Sequence, residues 1–403
     1  MDAKHSLGEP RLIISRDALL YNAAVLRRKL QLGTKICAIV KANAYGHGVD
    51  LVVDTLYNFA RDGSIPAIDM LAVASIDEAA QLPASSLPVI IFRPVENNFM
   101  GNLRMKIESA IRNGWVLTLC SSAAADDIAR IALACGKRAA VQIMIDTGMT
   151  RSGCGIDDVE SLLNTIAGHA SLRLVGLGTH FAESENTQSP LTIRQIDRFR
   201  GATDEAMARL KGKVLRHAAN SGAIFFQKSS HFDMVRPGIA LFGIDPTFAP
   251  CLDRPLRPAM KWVAPLIMVR DVKKGTGVGY SQTWHANRDT RIGLIPVGYA
   301  DGYLRCFGNS AVVKIHGQAV PVVGNVSMDS ITVDLGDAPH ATIGDEVTLL
   351  DNDPLSECSV YKLAKWADTI PYEIFCRIGS RVHRVPAEPE KENEHLPQEG
   401  EEI

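Results

Sequence analysis

The sequence has no excess of either charge. Its 43 Lys and Arg stand against 45 Asp and Glu, a formal net charge of -2, and the basic residues are scattered along the chain. That leaves no electrostatic footprint for nucleic acid or an anionic membrane surface. The eight cysteines, at 37, 120, 135, 154, 251, 306, 358 and 376, include no C-x-x-C pair, so the common zinc and dithiol patterns are missing and no metal site is expected. They read as reduced thiols of a soluble, cytoplasmic protein. No apolar run is long enough to span a bilayer, and charges interrupt the N-terminal MDAKHSLGEPRLIIS before the apolar stretch of a secretion signal forms. No internal repeat is found. The remaining partners are small molecules or other copies of the same chain.

What the sequence does have is length: its 403 residues exceed what one hydrophobic core usually serves, which predicts two domains. Residues 11–245 alternate apolar β-type runs with amphipathic helical stretches, such as 122–134 and 193–210. Eight runs fall at 35–40, 70–75, 87–92, 116–121, 139–146, 172–180, 215–221 and 234–243, which predicts an α/β fold, a closed (β/α)8 TIM-type barrel. Residues 246–387 alternate apolar and polar positions broken by Gly, with one convincing helix near 360–367, and predict a mostly β domain that residues 1–10 are candidates to join. The acidic, Pro- and Glu-rich stretch 388–403 predicts a disordered tail.

Barrels of this kind build their active sites at the C-terminal ends of the strands. There the sequence sets Lys41 after the first run, Arg151 past the fifth, His180 closing the sixth, Asn220 and Ser221 closing the seventh, and Arg236 within the eighth. A lysine ending a buried strand is partly desolvated, which favours its neutral amine and suits covalent carbonyl chemistry. On position alone, a lysine whose ammonium reaches solvent is the competing reading.

Longer words extend the case. VKANAYGHG (40–48) resembles the cofactor-lysine motif of alanine racemases. DTGMTR (146–151), THFA (179–182), HAANSGA (217–223), MVRPGIALFG (234–243), VGYSQTW (278–284), IPVGYADGY (295–303), VGNVSMDSITVDL (323–335) and TIPYEI (369–374) resemble the other signatures of that family, in its order. The resemblance covers nearly the whole chain except the tail. It implies a pyridoxal 5'-phosphate enzyme that interconverts L- and D-alanine, built as a head-to-tail homodimer with shared active sites. By the same resemblance Lys41 carries the cofactor as a Schiff base and acts as acid/base on one face of the substrate α-carbon. Tyr280 of the partner subunit acts on the other face, supported by a relay of His180 and Arg236. The resemblance further implies that Arg236 faces the pyridine nitrogen and that Tyr45, Ser221, Gly238, Ile239 and Tyr372 hold the phosphate. Arg151 and the backbone N–H of Met328 of the partner subunit match the groups that bind the substrate carboxylate, and Tyr299 matches the residue lining the entrance.

Three positions depart from the commonest family pattern. Met144 stands where many members carry a lysine that becomes carbamylated and orients the arginine matching Arg151, Ser327 replaces a frequent cysteine, and Phe242 a frequent tyrosine. The neighbouring readings are a racemase of broader range or serine preference, a non-catalytic pyridoxal-phosphate-binding barrel, and a barrel decarboxylase. The β domain with its VGYSQTW word argues against the second, and the tyrosine and Met328 motifs against the third.

Overall fold

The computed structural model describes residues 8–58, 67–95, 102–210, 214–251 and 253–388. Strand β1 (Arg11–Ile14) opens the stretch expected to form the barrel, but it does not enter it. It pairs with two strands of the second domain, so the chain crosses into the barrel only after residue 14. Eight parallel strands then close the barrel in chain order: β2 (Lys35–Ile39), β3 (Met70–Val73), β4 (Val89–Pro94), β5 (Val116–Leu119), β6 (Ala139–Met144), β7 (Leu172–Gly178), β8 (Leu215–His217) and β9 (Met234–Val235). Each begins within one of the eight apolar runs, and β4 alone continues past its run, to Pro94.

Five others end one or two residues before their runs do, and two stop well short for local reasons. The Asn220 side chain accepts the Ala223 N–H at 3.1 Å and caps a helix, which ends β8 early. Pro237 has no N–H to continue the ladder, and Ile239–Phe242 coil into a 3-10 turn, so Arg236 stands just past β9 instead of within it.

Helix α1 (Arg16–Arg28) leads into β2, and the crossover helices between successive barrel strands are α2 (Val49–Asn58), α3 (Ile76–Ala80), α4 (Leu103–Arg112), α5 (Ser122–Ala134), α6 (Val159–Gly168), α7 (Leu191–Leu210) and α8 (Ser221–Phe226). Serine side chains cap several of them: Ser15 accepts from Ala18 N–H, Ser121 from Ala124 N–H, and Ser75 forms a capping box with Glu78.

The second domain holds β10 (Met260–Pro265), β11 (Met268–Val272), β12 (Gly277–Val278), β13 (Trp284–His285), β14 (Thr290–Ile295), β15 (Val312–Ile315), β16 (Gln318–Pro321), β17 (Ile331–Asp334), β18 (Glu346–Leu350) and β19 (His383–Pro386). They form a six-stranded sheet in the order β16-β15-β18-β10-β1-β19, a three-stranded sheet β11-β14-β17 and the ribbon β12-β13. Besides the expected helix, α9 (Val360–Trp366), there is a second, α10 (Pro371–Arg377), which the sequence reading left out. Its proline occupies the first turn, where no N–H is needed, so it starts the helix instead of breaking it.

Residues 1–7, from the stretch 1–10 that was a candidate to join the β domain, and residues 389–403, from the tail expected at 388–403, fall outside the described residues. No helix among the described residues is long and apolar enough to cross a membrane.

Candidate active site

The C-terminal ends of the barrel strands open into a cavity of about 590 Å³, and Lys41 stands on its wall. The chain leaves β2 through a left-handed turn: Ala42, Asn43, Ala44 and Tyr45 all have φ of 52 to 53°. Residues other than glycine pay roughly 1–2 kcal/mol each in this conformation, so the turn needs external support. The Glu78 carboxylate accepts the Ala42 N–H at 2.9 Å, and the Asn43 side chain accepts the Val49 N–H at 2.8 Å. Buried His47 faces the Ala44 and Tyr45 carbonyls with Nδ1, at 3.1 and 3.0 Å. Carbonyls only accept, so Nδ1 carries the hydrogen. Gly46 follows at φ 78°, seated so close to the Phe375 carbonyl that a Cβ there would collide with it.

The Lys41 amine is reachable through the cavity mouth, yet enough protein surrounds it for burial to push its pKa below the usual lysine value. Arg151 adds to the lowering and Glu78 opposes it.

Arg236 forms the inner wall. Its guanidinium donates to the Thr179 and Ala218 carbonyls at 2.7 and 3.1 Å, to His217 Nδ1 at 2.7 Å and to His180 Nδ1 at 3.1 Å. Burial lowers its pKa to about 10, which leaves it charged at neutral pH. An arginine has no acceptor, so His180 must accept through Nδ1 and carry its hydrogen on Nε2. Burial, then Arg236, Arg151 and Lys41, push the His180 pKa down to about 3, so the ring is a neutral donor.

The same cavity also holds a cradle for an anion. The Ser221 hydroxyl oxygen accepts the Gly238 and Ala240 N–H groups at 3.0 and 3.3 Å, which leaves its own hydrogen free to donate. The Tyr45 hydroxyl occupies the space over Gly238 that a Cβ would fill. Tyr372 packs against Tyr45 with ring centroids 5.6 Å apart. Burial, with Glu185, pushes the Tyr372 phenol to about 12, and burial raises Tyr45 further, so both remain O–H donors. Ile239 is fully buried beside Gly238. Hydroxyls and a glycine-lined backbone turn suit a phosphate, and an amine and a guanidinium on the same cavity suit a phosphorylated aromatic aldehyde such as pyridoxal phosphate. Among the described residues no group of three metal-ligating side chains occurs.

Arg151 is exposed at the cavity rim, on a loop organised by Asp146. The Asp146 carboxylate accepts the N–H groups of Gly148, Met149 and Thr150 at 2.9, 3.0 and 3.1 Å. Burial works to raise its pKa, but the donors from Thr150, Gly148 and Met149 together hold it below the usual carboxylate value. Met144 lines the cavity below the loop, with its sulfur beside Gly178.

Of the residues singled out in the sequence, the structure thus brings Lys41, Tyr45, Arg151, His180, Asn220, Ser221, Arg236, Gly238 and Tyr372 to one cavity. Tyr280, Tyr299 and Met328 do not line it; they lie in the second domain, 72%, 44% and 53% exposed. Their loops are tied to one another: Asn325 donates to the Tyr280 carbonyl at 2.8 Å, and Tyr299 and Ala300 N–H donate to the Ser327 and Met328 carbonyls, each at 3.0 Å. The sequence reading missed Glu78 and His217, whose roles come from contacts across the barrel and not from local spacing.

Residues 14–246 match the model of the alanine racemase N-terminal domain, and residues 259–386 that of the alanine racemase C-terminal domain. An alanine racemase from Chlorobaculum tepidum is 37% identical over 374 residues, 93% of this chain and 94% of that protein. The solved alanine racemase of Clostridium difficile 630 superposes with a TM-score of 0.85 at 30% identity, covering 94% of this chain and 96% of that one. The Bartonella henselae enzyme, solved with covalently bound pyridoxal phosphate, gives a TM-score of 0.80 at 27% identity over 94% of this chain and 99% of that one. A closed parallel barrel, a mostly β second domain and these matches along nearly the full length lead to one conclusion: the chain belongs to the alanine racemase family of pyridoxal-phosphate-dependent isomerases.

Proposed function

We propose that this chain interconverts L- and D-alanine with pyridoxal 5'-phosphate held covalently on Lys41, as a cytoplasmic homodimer in which each barrel cavity is completed by the partner's second domain. The observation that carries the reading is the single cavity on which a lysine of lowered pKa, a buried guanidinium and a hydroxyl-lined turn converge. Tyr45, Ser221, Tyr372 and the backbone of Gly238 and Ile239 hold the phosphate. When bound, the cofactor withdraws electrons from the substrate α-carbon and so weakens its C–H bond.

Inverting that carbon requires one group to take a proton from one face and another to deliver one to the opposite face. Lys41 serves the first face. Tyr280 of the partner subunit serves the second, which fits a tyrosine that is exposed on its own chain and absent from its own cavity. A phenol of ordinary pKa near 10 needs hydrogen-bond donors to act as a base. His180 offers its Nε2–H for this, its tautomer held by Arg236. Arg151 grips the substrate carboxylate through its fork, together with the backbone N–H of Met328 of the partner subunit. Tyr299 lines the entrance from the same side. Arg236 would donate toward the ring nitrogen of a bound cofactor, which would keep a proton off it and disfavour transamination.

The purified protein is expected to be yellow, and borohydride is expected to fix the cofactor on the peptide containing Lys41. Label on any other lysine would remove Lys41 from this role.

A further inference from the structure

The network that holds Arg236 does not end at His217. His217 Nε2 lies 3.0 Å from Gln142 Oε1, Gln142 Nε2 lies 2.8 Å from Thr118 Oγ1, and the Thr118 hydroxyl reaches the Ile91 carbonyl at 2.6 Å. All three side chains are buried. The line runs through the barrel interior from the end of β9 by way of β8, β6 and β5 to β4. Strand β7 contributes Gly176 and Gly178, where a Cβ would press on the His217 ring.

The two ends set the direction of every link. A guanidinium only donates and a backbone carbonyl only accepts. His217 therefore accepts through Nδ1 and carries its hydrogen on Nε2, which donates to the Gln142 carbonyl oxygen. The Gln142 amide nitrogen then donates to Thr118, and the Thr118 hydroxyl donates to Ile91. Reversing a single link would set two donors or two acceptors against each other in the interior, where an unmade hydrogen bond is costly. None of the groups that receive hydrogen bonds from Arg236 is acidic, so its charge stays unneutralised.

We propose that Gln142 and Thr118 are positioning residues for the racemisation: they hold His217 as its Nε2–H tautomer, and His217 in turn holds the Arg236 guanidinium at the cavity wall. The link to catalysis rests on the role assigned above to Arg236, whereas the tautomer itself does not. Burial and the Arg236 charge also keep His217 neutral, its pKa well below the usual histidine value. A neutral amide at 142 is what this arrangement requires. A carboxylate there would favour a charged imidazolium, whose Nδ1–H would face the Arg236 N–H.

The test is the ¹⁵N spectrum of the histidine-labelled full chain as purified, in wild type, Gln142→Glu, Thr118→Val and Thr118→Ser. Wild type and Thr118→Ser are expected to show His217 neutral with its hydrogen on Nε2. Gln142→Glu is expected to show His217 as imidazolium at neutral pH, with kcat for alanine lowered by up to about a hundredfold through displacement of Arg236 and a smaller change in KM. Thr118→Val leaves the Gln142 amide nitrogen without its acceptor and is expected to shift and broaden the His217 Nε2 signal without moving its hydrogen, because Arg236 still donates to Nδ1, and to lower kcat, with Thr118→Ser restoring both. Should Gln142→Glu fail to fold, the Val and Ser pair at 118 decides the matter alone. A wild-type His217 protonated on Nδ1 would overturn the proposal, as would His217 signals unchanged in every variant that folds. If borohydride labels a lysine other than Lys41 while His217 behaves as described, the cofactor assignment falls and the tautomer lock stands.

Discussion

At the scale of single residues, the site depends on which groups carry charge and which do not. Lys41, Arg151 and Arg236 concentrate positive charge at one cavity; burial lowers the pKa values of Lys41 and His180, with Arg151 adding to the first and Arg236, Arg151 and Lys41 to the second. Met144 adds no charge to this balance. A thioether cannot form a carbamate, and what the structure shows near Arg151 is a loop backbone tied to the Asp146 carboxylate through the N–H groups of Gly148, Met149 and Thr150. Racemisation is therefore expected to be indifferent to added bicarbonate, measured as initial rate in buffers stripped of carbon dioxide and then resupplied. A rate that climbs with bicarbonate, with a carbamate found on another lysine beside Arg151, would contradict this. Much of the cavity was legible residue by residue, because Lys41, Tyr45 and Ser221 sit in long distinctive words. Gln142, Thr118 and Glu78 were not legible, because a barrel glutamine, a strand threonine and a helix-capping glutamate have no local pattern that tells them from ordinary structure.

At the scale of elements, the left-handed turn after β2 is the least ordinary piece of backbone in the site. Its support comes from α3 through Glu78, from buried His47, and from α10, whose Phe375 carbonyl meets Gly46. Gly46→Ala adds a Cβ that collides with that carbonyl at a φ of 78°. The substitution is expected to destabilise the fold by about 1–3 kcal/mol and to weaken cofactor retention, read from urea midpoints and from visible absorbance after dialysis. A wild-type midpoint would show that α10 does not brace the turn. The barrel strands were legible as apolar runs because parallel strands are buried on both faces. Two features were not. TIPYEI, short and with a proline at its third position, carries too few residues to show helical periodicity, and β1 is an apolar run like the others whose destination is set only by the distant β10 and β19.

At the scale of the whole molecule, two fully buried neutral histidines tie stability to pH. Burial lowers His47 to about 4, and burial with Arg236 holds His217 well below the usual value near 6.5. Between the folded and unfolded pKa values the unfolded chain binds more protons, so this contribution is full above about pH 6.5 and is lost as the pH falls toward 4. Each histidine adds a slope approaching about 1.4 kcal/mol per pH unit in that window. Urea midpoints are expected to fall steeply below pH 6.5, and a flat profile from 7.5 to 4.5 would contradict two buried neutral rings.

The site as a whole is proposed to need two chains, because Lys41 lines the cavity while Tyr280 stands exposed on the other domain. Tyr280→Phe keeps the ring and removes the proton-carrying group, so racemisation is expected to fall by roughly 10²–10⁴. Lys41→Ala is expected to be inactive. The most direct measurement mixes these two variants under conditions of verified subunit exchange. A mixed dimer then contains one barrel with Lys41 facing the Tyr280 of the other chain, so an equal mixture is expected to recover about one quarter of the wild-type activity. No recovery, with mixed dimers present, would mean that each site is built within a single chain and would contradict the account.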